Sequence, residues 1–145
     1  MTRFNHTIGL ASLVLVMSCA GSFAQDSSMW PEKTNTSCIW SMTEIVQVFE
    51  TICHPEERGE YRAALDEATT RLRTRARELL KEDFDNAVKV MRTISGDIAK
   101  NPEQCRGGVV FDMAQTARKK GASYLREMST WAVSVPPEKQ LNECL

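Results

Sequence analysis

Two cysteines bracket a single stretch of helical periodicity, and this restricts the fold more than any other feature. Apolar residues recur every three or four positions from Cys38 through Met42, Ile45, Val46, Phe49 and Ile52 to Cys53. That spacing is the stripe of an amphipathic helix. Fifteen residues of helix separate the two cysteines by about 22 Å along the axis. A disulfide tolerates a Cα separation of only ~7 Å. Cys38 and Cys53 therefore cannot pair while the helix is intact, and any bridge must tie its ends to distant parts of the chain.

The chain has five cysteines, an odd number that processing resolves. Residues 1–24 have the layout of a secretory signal peptide. Arg3 supplies the positive charge, Ile8 to Met17 carry none, and Ser22-Phe23-Ala24 place small residues for a cut before Gln25. Ten apolar residues are half of the ~20 needed to span a bilayer, and no later stretch is more apolar, so no transmembrane segment is expected. Cleavage removes Cys19 and leaves Cys38, Cys53, Cys105 and Cys144, an even set suited to two disulfides in an oxidising compartment. A competing route exists. Val16-Met17-Ser18-Cys19 loosely resembles a lipobox, which would anchor the chain as a lipoprotein through Cys19. The organisation expected is a signal peptide over 1–24, a flexible leader over 25–36 and a helical bundle domain over 37–145. The leader includes the sequon Asn35-Thr36-Ser37, which matters only in a eukaryotic secretory pathway.

Pro55 ends the first helix, and a second starts near Glu56-Glu57 with the stripe Tyr61, Leu65, Ala68, Leu72, Ala76 and Leu79. Phe84, Val88, Met91, Ile94 and Ile98 form a third stripe. One helix over 56–100 would be about 65 Å long with nothing in the chain to cover it. A break near 81–85 is expected instead, with Asp83 or Asp85 as cap. Asn101-Pro102 marks a turn, and a last helix runs from Gly108 to Ser134 with Val109, Met113, Ala117, Tyr124, Leu125, Met128 and Ala132 inward. The fold class is all-α, a disulfide-stapled up-down four-helix bundle. In that topology Cys53 shares an end with Cys105 and Cys38 shares the other with Cys144. An unbroken 56–100 helix would swap the pairs to Cys38–Cys105 and Cys53–Cys144.

Several chemistries are poorly served by these residues. His6 leaves with the signal peptide, so His54 is the one histidine of the mature chain. Haem attachment needs Cys-x-x-Cys-His, and Glu50 stands where the first cysteine would be. No Cys-x-x-Cys redox pair or Gly-x-Ser-x-Gly elbow occurs. Glu56-Glu57 and Asp83-Asp85 read as helix-start charge, and Gly107-Gly108 as a tight turn beside a disulfide. Neither a metal nor another cofactor is expected. With 18 basic and 19 acidic residues the net charge is −1, which argues against a general nucleic-acid binder.

What remains is binding. Arg71, Arg73, Arg75 and Arg77 are the densest charged feature and the candidate partner-binding face, suited to an acidic protein or acidic lipid. Tyr124, Trp131, Met91, Met113 and Met128 read first as core, and otherwise as a groove for an apolar ligand or a partner helix. The expectation is a secreted, bacterial periplasmic protein without catalytic activity that binds another protein, such as an inhibitor or immunity factor for an envelope-acting enzyme. A carrier of a small apolar or lipidic ligand between the helices is the alternative. The intact mass of the exported protein checks the processing: a chain starting at Gln25 is expected, and a lipidated Cys19 terminus would contradict it.

Overall fold

The structure, a computed structural model, describes residues 32–142. The expected signal peptide with Cys19, most of the expected leader and Cys144 lie outside that range. Among the described residues the chain is helical, with no strand. The helices fall in three runs. The first is α1 (Thr36–Cys53). The second comprises α2 (Glu60–Leu80) and α3 (Phe84–Lys100), joined by a 3-10 turn over Lys81–Asp83. The third is α4 (Val109–Ser134).

The break expected near 81–85 falls at Lys81, whose φ of 50° and ψ of −112° reverse the chain. Neither Asp83 nor Asp85 makes it by capping; position 83 forms no side-chain cap. Packing holds it instead. The Phe84 ring stacks on buried Trp40 of α1 with centroids 5.1 Å apart, and the Arg77 guanidinium carbon lies 4.9 Å from the centroid of the same ring. Gly108 precedes α4 with φ +100°, a conformation that favours glycine, which gives the two-glycine turn its physical reason.

Side-chain pairs set the helix directions. Glu44 meets Arg73, Gln47 meets Asp66 and Glu50 meets Tyr61, so α2 runs antiparallel to α1. Trp40 meets Phe84 at one end of α1, and Cys53 meets Cys105 at the other, so α3 runs parallel to α1. Thr36 Oγ1 donates to the Ala132 carbonyl and Phe49 meets Phe111, so α4 is antiparallel to α1 and parallel to α2.

The packing differs from a closed four-helix bundle. α2 and α4, which would be diagonal neighbours there, form the most extensive interface, and each also packs on α1. Ala64, Ala68, Ala76, Ala114 and Ala132 are all fully buried. Such small side chains bring helix axes close, because interaxial distance follows contact size. The core is a triangle of α1, α2 and α4, and α3 sits outside it, chiefly against α1.

The end of the leader belongs to this fold rather than to a loose segment. Thr34 bridges to Gln140, donating its amide to the Lys139 carbonyl and accepting from the Leu141 amide. Asn35 caps α1 by accepting from the Cys38 amide. Both ends of the described chain thereby meet at one end of α1.

Cys53 and Cys105 form a disulfide, with Cα atoms 5.5 Å apart and a sequence separation of 52. Closing a loop of that length is worth about 4 kcal/mol in the chain-entropy model. Replacing both by serine is expected to lower unfolding stability by up to about that amount in urea titrations. A non-reducing peptide map is expected to recover Cys53 with Cys105; recovery of Cys38 with Cys105 would contradict the turn at Lys81.

Candidate functional site

The four arginines do not share one surface. Residues two apart on an α-helix point about 200° apart, so an alternating run divides into two pairs. Arg71 and Arg75 face α4. Arg71 Nη1 donates to Ser129 Oγ at 2.8 Å and Thr130 Oγ1 at 3.0 Å, and Arg75 Nη2 donates to the Val135 carbonyl at 3.3 Å. Arg73 and Arg77 lie on the other side, with Arg73 paired to Glu44 of α1 and Arg77 over Phe84. Glu67 and Glu78 supply further partners for Arg71 and Arg75. The quartet ties α2 to its neighbours.

Buried acids anchor these ties. Glu44 accepts from the Trp40 indole and from Arg73. Glu50, with 1% of its surface exposed, accepts from Nε and Nη2 along one guanidinium edge of Arg118 of α4 and from the Tyr61 hydroxyl of α2 at 3.3 Å. Arg118 also pairs with Glu57 and lies 5.1 Å over the Tyr61 ring. Its bonds to Glu50 strengthen its hold on the proton. Burial first, then the Glu50 charge, push the Tyr61 phenol well above its ordinary range. One cluster thus joins all three core helices. His54 caps α1 beside it, its amide donating to the Glu50 carbonyl and its ring edge-on to Phe49. The sequence held a signal for this cluster. Glu50 lies four residues after Val46, on the apolar stripe, where an acid is buried only if paired.

The remaining feature is a groove of about 710 Å³ between α1 and α4. Ile39, Met42 and Val46 form one wall, Val109, Met113 and Ala117 the other, and Leu65, Leu125 and Met128 the floor. Tyr124 and Trp131 also line it, so four of the five aromatic and methionine residues singled out from sequence come together there. Met91 does not; it is 8% exposed on α3, on the far side of α1. Two residues expected inward are open to solvent at the groove: Met42 is 47% and Val109 76% exposed. Both sit at the edge of their stripes, beside the notch, while Val46, Phe49, Leu125 and Ala132 of the same stripes are buried in the core. Gly121, with φ 82° and ψ −177°, kinks α4 midway along this wall. Periodicity does not reveal that kink, because the stripe continues on both sides of it.

Among the described residues no group of three or more His, Cys, Asp or Glu could hold a metal ion, and no helix is long and apolar enough to cross a membrane. Comparison of the chain with protein families, characterised proteins and solved structures gives no match, so function is read from this geometry.

The Glu50 cluster makes a stability prediction. Arg118→Met leaves a buried carboxylate unpaired and is expected to cost about 3–5 kcal/mol in urea unfolding. Adding Glu50→Leu is expected to recover most of that loss, because the pair then leaves together. A single variant as stable as the parent would contradict the cluster.

Proposed function

We propose that the mature protein is a secreted, non-catalytic binding protein of the bacterial periplasm that takes a partner protein into the α1–α4 groove. The observation that carries this reading is the exposure of Met42 and Val109 on one apolar notch. A concave apolar lining with exposed side chains at its rim suits an interaction site. Methionines suit it, since their unbranched side chains adapt to a partner's shape. The Cys53–Cys105 bridge supports an oxidising compartment. An inhibitor or immunity factor for an envelope-acting enzyme matches a small, stapled and nearly neutral chain. Recognition passes from the arginine quartet to the groove, because the arginines are engaged within the molecule.

One finer structural proposal accompanies this one. Cys38 is disulfide-bonded, while Cys53 and Cys105 hold each other, which supports Cys144 as its partner in the mature chain. The two staples would then lie at opposite ends of α1.

The groove volume also falls in the range of small-molecule clefts, which keeps the carriage of an apolar or lipidic ligand as the second reading. Native mass spectrometry of the protein from envelope extracts separates the two: a stoichiometric protein complex supports partner binding, and a lipid adduct supports carriage. The double variant Met42→Glu/Val109→Glu places charge on exposed positions. It is expected to weaken partner binding by more than about tenfold with little change in Tm. Undiminished binding by that variant would place recognition elsewhere.

A further inference from the structure

The partner's form can be read from how this chain fills its own second notch. α1 flanks two notches of the core triangle. The one toward α2 is occupied by α3, an amphipathic helix that buries Phe84, Met91 and Ile98 at seven-residue intervals, with Val88 and Ile94 partly buried beside them. The one toward α4 is the open groove. It is bounded by the same helix α1, floored by the same core, and lined on α4 by residues 109–120, about 16 Å of helix before the Gly121 kink, and by residues 124–131 beyond it. The straight stretch before the kink suits about three turns of a partner helix.

Two charges line this apolar wall. Asp112 and Lys120 stand eight residues apart on α4, about 12 Å along its axis. Among the described residues neither has an ion-pair partner, and the Lys120 ammonium lies 4.2 Å over the Tyr124 ring. Arg62, Arg71, Arg73, Arg75, Arg118 and Arg126 hold carboxylates within the molecule, whereas Asp112 and Lys120 stand on the apolar wall with their charges available to an occupant of the groove.

We infer that the partner contributes one amphipathic α-helix, seated along α4 in the groove as α3 is seated along α1, with an acidic residue facing Lys120 and a basic residue facing Asp112. On that helix the two charges are seven or eight positions apart, which places them on one face as two turns require. Apolar side chains at spacings of three and four enter between Met42 and Met113. The inference rests on the reading of the groove as a protein-binding site.

The test uses the full exported chain and a defined probe. The probe is a synthetic helix of about 20 residues with leucines at three- and four-residue spacing and one Glu and one Lys eight apart. Fluorescence anisotropy is expected to show saturable binding with a gain of helical circular dichroism. Lys120→Glu or Asp112→Lys, both at exposed positions, is expected to weaken binding about tenfold. Tm is expected to be unchanged for the first and slightly lowered for the second, which reverses a favourable charge in the first turn of α4. Exchanging the probe's Glu and Lys should restore binding to the doubly reversed protein. Equal binding by a probe broken with a central proline, or indifference to both charge reversals, would overturn the inference. A photo-cross-linking residue at Met42 or Val109 in the exporting cell then separates the two levels. Adducts to a partner segment carrying the stripe and both charges support the helix. Adducts to a segment without them overturn the helix and leave the groove as a protein site. Adducts to lipid alone, or none at either position, overturn both.

Discussion

Close packing of α2 against α4 is the constraint on which the rest of the structure depends. Five alanines in α2 and α4 are fully buried, so these parallel helices approach where larger side chains would hold them apart. Their contact closes a triangle with α1 and leaves no central place for a fourth helix. α3 is displaced to the flank, where the Trp40–Phe84 stack holds one end and the Cys53–Cys105 disulfide the other. The notch on the opposite side of α1 then stays open, and it is apolar because α1 and α4 carry wider stripes than the triangle can cover.

Charge reinforces this arrangement rather than defining an outer surface. Glu44 and Glu50 are buried acids on α1, each gripped by an arginine from a neighbouring helix. A buried pair gives little net stability over an apolar pair of similar shape, but an unpaired member is costly, so such clusters penalise wrong registers. Arg71 and Arg75 act similarly between α2 and α4, bonding to hydroxyls and a carbonyl that only one axial offset presents.

Much of this was legible in the sequence. The stripes locate the helices, and the length of an uncovered 56–100 helix requires the break that Lys81 makes and the Cys53–Cys105 pairing that follows. Periodicity says which side of a helix is apolar but not which neighbour covers it. Val109 and Met42 were therefore expected inward and lie exposed, and Met91 was grouped with methionines from which α1 separates it. Arginine density suggested a surface, whereas an alternating run on a helix must divide between two sides. Gly121 passes unnoticed because one glycine in a helical stripe is common, and only its positive φ marks the kink.

Methionine methyl NMR tests the central claim most directly, since the residues involved report from both notches at once. Met42, Met113 and Met128 line the open groove, and Met91 lies in the filled one. In the free protein a soluble paramagnetic agent is expected to broaden the Met42 methyl strongly and leave Met91 sharp. On addition of the helical probe, the Met42, Met113 and Met128 methyls are expected to shift, Met42 to become protected, and Met91 to stay in place. A protected Met42 in the free protein, or a shift at Met91 with the groove methyls unmoved, would contradict the account.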